Sequence, residues 1–135
     1  MDNLPIEIGD CFLFDNDEDG RHMHIVIAED RENPYGQVFL VYITSAERIF
    51  DNTTIFEPGI HEFIKKRSWV KYDNTQIMLR SELRSRIIKR YTPLKPEYIE
   101  KIQKGVLDSK RTQQYKKEIF KQWQNESLFR KIDKQ

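Results

Sequence analysis

The chain has 135 residues, enough for one hydrophobic core and too few for two ordinary domains. It is 38% hydrophobic and 33% charged, and its eight Phe, six Tyr and two Trp argue against wholesale disorder. A lone cysteine, Cys11, excludes an internal disulfide and a cysteine-rich metal centre, and no apolar run is long enough to cross a bilayer. The start, Met1-Asp2-Asn3-Leu4-Pro5, lacks the basic and apolar regions of a secretion signal, so the expectation is a cytoplasmic protein without a membrane partner. The net charge of +1 hides a lengthwise split. Residues 1–60 carry three basic and 13 acidic residues, a formal −10, and residues 61–135 carry 20 and nine, a formal +11. Such an asymmetry speaks to partners and points the back half at a polyanion. A solvated basic helix face balanced by an acidic loop is the plainer account.

In chain order, Ile6 to Phe14 reads as a first strand with a Gly9-Asp10 turn inside it. Asp15 to Gly20 is an acidic loop like the start of a calcium loop, but the twelfth position holds Val26 where an EF-hand needs a bidentate acid. Met23 to Ala28 is a β-branched strand, and Val38 to Thr44 is an apolar run expected to be buried on both faces. Asn52 to Phe56 is a short strand closed by Pro58-Gly59. Trp69 to Tyr72 alternates as a half-exposed strand does, and Gln76 to Leu79 and Arg86 to Lys89 are two further candidates. The pattern then turns helical. Pro96 opens a helix with the stripe Tyr98, Ile99, Ile102, Val106 and Leu107. A second helix from about Arg111 to Lys131 carries Tyr115, Ile119 and Trp123, continued by Phe120 and Leu128. That stripe calls for burial against its own chain, a second copy or another protein. The fold class expected is mainly β with C-terminal α, a small curled sheet or barrel followed by two helices.

Three histidines are the acid–base candidates. His22 and His24 stand two apart on one strand, so they share a side, and His61 follows the Pro58-Gly59 turn. An unperturbed imidazole titrates near neutrality, at about pH 6.5, which suits proton transfer. A strand histidine can equally hydrogen-bond a carbonyl and do nothing else. Thr44 and Ser45 end the most apolar strand, where hydroxyls either cap the following turn or hold a phosphate oxygen. No nucleophile elbow and no glycine-rich phosphate loop is present. Lys65, Lys66, Arg67, Trp69, Lys71 and Tyr72 interleave cations with aromatics, a pattern that suits single-stranded nucleic acid. A buried Trp69 with solvated lysines is the competing account.

Ile8-Gly9-Asp10, Ile25-Val26-Ile27-Ala28, Ile43-Thr44-Ser45, Asp73-Asn74-Thr75-Gln76-Ile77 and the helix Tyr98 to Leu107 together resemble the MazF/PemK-like toxin family over about residues 5–108. Glu57 to Ile64 looks like a divergent branch of it. The resemblance implies an SH3-like barrel domain over 1–108 with its terminal helix, leaving 109–135 as a basic amphipathic helical tail that is no domain of its own. It implies a metal-independent endoribonuclease that needs no cofactor, cuts single-stranded RNA, forms a homodimer and is held inactive by a cognate antitoxin, in a toxin–antitoxin or phage-defence system. In that family an Arg just before the second strand and a Thr ending the third carry catalysis. The Thr matches Thr44, while the Arg position falls on His22, with Arg21 one residue earlier. Metal-free RNA cleavage needs a base, an acid and a cation. His22 and His61 are candidates for base and acid, Arg21 for the cation, and Thr44 or Ser45 for orienting phosphate. Two other readings stand beside this one. The chain is a non-catalytic module binding nucleic acid or protein, or its basic tail grips the acidic front of a second copy.

Overall fold

The computed structural model describes residues 5–14, 22–33, 36–45 and 47–133 and, of 127–133, the backbone alone. The acidic loop at 15–20 and Arg21 lie outside the described residues. Seven antiparallel strands form one sheet: β1 (Cys11–Phe14), β2 (Met23–Glu29), β3 (Gln37–Thr44), β4 (Ile55–Phe56), β5 (Ser68–Val70), β6 (Gln76–Leu79) and β7 (Ile87–Tyr91). Three helices join them, α1 (Arg80–Arg86), α2 (Pro96–Asp108) and α3 (Gln114–Asp133). The chain is thus mainly β with helices toward its C-terminal end. The strands run in the order β4-β5-β3-β2-β1-β7, with β6 also on β3. β3 is long enough to serve two neighbours on one edge, β6 along 37–40 and β5 at 43–44.

The ladders form an open sheet whose ends are clasped by side chains. In the loop after β4, His61 Nε2 donates to Thr92 O at 2.5 Å, and Thr92 N–H donates to Glu62 Oε1 at 2.7 Å, one residue past β7. The rings of Phe63 and Tyr91 meet edge to face at 5.2 Å.

Facing residues across an antiparallel ladder share a face, so the register sorts the apolar residues into two layers. Cys11, Ile25, Phe39, Val41, Ile43 and Val70 pack with α2 and α3, which contribute Ile99, Ile102, Val106, Phe120 and Trp123. Phe12, Phe14, Val26, Val38, Leu40 and Met78 face the other way, against Ile6 and Leu83 of α1. Covering both faces explains why β2 and β3 are apolar runs without alternation. A bulge between Val26 and Ala28 leaves Ile27 unpaired in the β2–β3 ladder, and Gln103 of α2 donates to its carbonyl at 2.9 Å. α1 is too short to persist alone. It is held by fully buried Leu83 and by Arg80, whose guanidinium meets Glu29 at 2.8 Å.

Two expectations change. Trp69 to Tyr72 is not a half-exposed strand: β5 is buried throughout, and the chain turns at Tyr72 into a 3₁₀ turn that carries that ring fully into the core. The stripe on α3 centres on Phe120 and Trp123, which pack on the chain's own sheet, while Tyr115 stays 60% exposed. The tail therefore completes the same core as the sheet.

Part of the charge split is resolved within the chain. Arg80–Glu29, Arg90–Asp10 and the exposed Arg67–Glu57 each join a cation of the back half to an acid of the front half. The Arg90 pair is the best formed. Asp10 Oδ2 accepts from Arg90 Nη2 and from the Glu7 N–H, both at 2.7 Å, and Arg90 also donates to Pro5 O. Gly9 makes the approach possible: its φ of +102° is strained for any side chain, and its N–H and C=O bond Val26 and Leu94. The Gly9-Asp10 pair thus anchors the entry to β1. Next to it, burial pushes the Cys11 thiol up to about 12. Since the thiolate is the reactive form, Cys11 is expected to resist a thiol reagent such as DTNB in the native protein and to react once urea unfolds it; rapid labelling of the folded chain would contradict this.

Candidate functional site

The β2–β3–β5 register assembles the site. Met23 and Ile43 form the last pair of the β2–β3 ladder, His22 and Thr44 are the next residues beyond it, and Thr44 pairs in turn with Trp69. His22, Thr44 and Trp69 therefore lie in one row on the face away from α2 and α3. The His22 ring meets that of Tyr42 at 4.7 Å, and His24 is stacked on Phe14 at 3.9 Å, also near Tyr42. His22 keeps part of its surface in water, whereas His24 and Thr44 are buried. Ser45 is half-buried just past β3. Lys71 donates its N–H to Tyr42 O, and its half-exposed ammonium lies 4.0 Å from Asp73. The row offers a partly exposed imidazole, two hydroxyls and a cation at the end of one strand.

His61 is elsewhere. Its Nδ1 accepts from the Phe63 N–H at 3.0 Å while Nε2 donates to Thr92 O, so backbone occupies both ring nitrogens. Its neighbours Phe63 and Tyr91 pack on the α2/α3 side of the sheet. His22 and His61 thus lie against opposite faces and do not form the acid–base pair expected from sequence. Spacing along a chain cannot reveal a face that a loop crosses.

The basic–aromatic patch also divides. Lys65, Lys66 and Arg67 are exposed ahead of β5. Trp69 is 2% exposed, and Tyr72 is fully buried with its hydroxyl bonded to Thr54 Oγ1 at 2.6 Å and donating to Ile102 O. Neither ring has a face to offer a base, so the stacking role expected of them is corrected to a core role.

The loop between β3 and β4 supplies two residues that the sequence reading passed over. Phe50 is 51% exposed, rests edge-on against Trp69 at 6.2 Å, and carries the Arg48 guanidinium 4.9 Å over its ring. The available signal was an Arg-x-Phe triplet shortly after Thr44-Ser45. Asp51 anchors this loop. It accepts from Ser109 Oγ, at the end of α2, at 2.6 Å and from the Thr53 N–H and hydroxyl. Burial alone would push the Asp51 carboxyl up. The Ser109 and Thr53 hydrogen bonds, with Arg111 nearby, carry it below the ordinary carboxylate value. A depressed folded value means the stabilisation is present above the unfolded value of about 3.9 and is lost as pH falls through the folded one. Hydrogen bonds from Thr92 lower Glu62 in the same sense. Asp51→Ala is expected to cost about 3 kcal/mol at neutral pH. In urea titrations against pH, Asp51→Asn should flatten the acid loss below about pH 4; an unchanged acid slope would remove Asp51 from this role.

No protein-family model, curated protein or solved structure matches the chain. Function therefore rests on the site. A groove of about 500 Å³ runs between β6, α1 and α3, with Met78, Arg86, Lys116 and Trp123 in its walls. Lys116 donates to Thr75 O there, and burial lowers its ammonium. The groove contains none of the expected site residues. Among the described residues, no cluster of His, Cys, Asp and Glu is arranged to hold a metal, and no helix is long and apolar enough to cross a membrane.

Proposed function

We propose that the chain is a metal-independent endoribonuclease acting on single-stranded RNA, in the manner of the MazF/PemK-like toxins it resembles, and that a cognate antitoxin restrains it. The observation that carries this reading is the end of the β2–β3 ladder, where His22 and Thr44 are the next residues beyond the Met23–Ile43 pair, with Ser45 following Thr44. An open sheet whose ends are clasped through His61 and Glu62 supports the SH3-like barrel part of the same reading.

In the proposed chemistry the RNA 2′-hydroxyl attacks the adjacent phosphorus and the 5′-oxygen of the next nucleotide leaves. The products are a 2′,3′-cyclic phosphate and a 5′-hydroxyl. His22 takes the 2′-proton, and the leaving 5′-oxygen takes its proton from water. Thr44 and Ser45 donate to non-bridging oxygens, and Lys71 offsets the growing charge, with Arg21, one residue before the position where the family carries its Arg, as a further cation. The test is labelled single-stranded RNA incubated with the pure protein in EDTA. The expected result is cleavage with cyclic-phosphate ends, and intact RNA would sink the proposal.

One observation favours a second reading. With His61 held elsewhere, the row has one partly exposed imidazole in place of an acid–base pair, which suits a non-catalytic nucleic-acid-binding module. Retention of RNA without cleavage in the same assay would select it.

A further inference from the structure

The RNA-binding reading needs a surface for bases, and the two aromatics first expected to provide it are buried. Among the described residues, five large apolar side chains are exposed: Phe50, Leu79, Ile88, Leu107 and Tyr115. Scattered exposure of this kind is ordinary and by itself means nothing. Phe50 differs in three ways. Its ring is propped by Trp69, which pairs with Thr44 across the ladder, so it sits at the end of the His22–Thr44 row. Arg48 brings a cation to the same ring. The next residue, Asp51, is buried and tied to Ser109 and Thr53, which fixes the loop directly after the ring. Tyr115 also has a cation near its ring, Lys116 at 5.9 Å, but it lines the groove by β6 and α3.

We infer that Phe50 is a stacking platform for one unpaired nucleobase and that Arg48 holds that nucleotide's phosphate, the nucleotide being a neighbour of the one whose phosphate lies at His22 and Thr44. The inference rests on the proposed reading that this row binds RNA. Stacking is tolerant of sequence because every base has a π-face, so the platform adds affinity and positions the strand without choosing its bases. A buttressed ring on a pinned loop is already ordered before RNA arrives, which reduces the ordering lost on binding.

The experiment uses the full chain and two fluorescein-labelled, 2′-O-methyl single-stranded RNAs that cannot be cleaved. One carries ordinary bases and the other abasic sites. Phe50→Ala is expected to weaken binding of the base-bearing strand by about 5- to 100-fold, and Phe50→Tyr to restore it. On the abasic strand, wild type and Phe50→Ala should bind alike. Arg48→Ala should lower the slope of log affinity against log salt by about 0.7. An unchanged slope removes the phosphate role from Arg48. If Phe50→Ala binds the base-bearing strand as tightly as wild type, or loses equally on both strands, the platform is wrong while the nuclease reading stands. If the wild-type chain neither binds nor cuts RNA, the nuclease reading falls and takes the platform with it.

Discussion

Replacing His22 with alanine is expected to slow RNA cleavage about 10²- to 10⁴-fold and to leave thermal stability close to that of the parent. The first half follows from the row at the end of β3, where His22 is the partly exposed imidazole beside Thr44. The second follows from its place just before β2, outside the ladder and outside both apolar layers. His61→Ala should behave in the opposite way. It removes the bonds to Thr92 O and the Phe63 N–H and so loosens the clasp between the sheet ends. Its cleavage rate per folded molecule should stay near wild type. Cleavage rates and melting curves on both variants separate proton transfer from architecture. A His22→Ala protein that cuts at the parental rate would exclude this imidazole from the chemistry.

Gly105→Ala is expected to destabilise the fold by about 3 kcal/mol, near the upper end of what overpacking costs. A Cβ on Gly105 would stand 1.9 Å from the Tyr72 hydroxyl and 2.5 Å from Thr54 Oγ1. Tyr72 is fully buried, and its hydroxyl already bonds Thr54 and the Ile102 carbonyl, so the ring has no cheap way out. Tyr72→Phe alone gives up those bonds, about 1 to 2 kcal/mol. In the Gly105→Ala background the same change removes the closest clashing atom. The double variant should therefore lose less than the two single losses added together. Urea midpoints on the four proteins of this cycle measure the coupling; simple additivity would mean that Gly105 is not there to admit the hydroxyl.

The parts of this fold that were legible are those whose pattern comes from burial on a large scale. β2 and β3 read as strands because both faces are covered, and α2 because Pro96 opens a stripe that packs. α1 was missed for the opposite reason: Leu83 is its one buried residue among Arg, Ser and Glu, too little to show a period. Tyr72 was misread because the alternation Trp69-Val70-Lys71-Tyr72 presumes a straight strand, and the backbone bends after Val70. Within the site, Thr44 and His22 were legible as strand-end residues, but their adjacency is a matter of register. The separation of His61 is a matter of a loop crossing to β7, and local sequence carries neither fact. Phe50 carried almost no signal, since a lone aromatic in a loop acquires meaning only from Trp69 beneath it.

Phe120 and Trp123 close the layer that holds Phe39, Val41 and Ile43. During synthesis that face of the sheet stays partly uncovered until the chain has been made through residue 123. β1 likewise waits for β7, since Cys11 pairs with Tyr91. Contacts this distant in sequence form slowly and late, so partial chains expose apolar surface and depend on protection while they grow. A protein assembled in this order gains its last core residues only near the end of synthesis, and a chain stopped before Trp123 lacks part of the layer that covers its sheet.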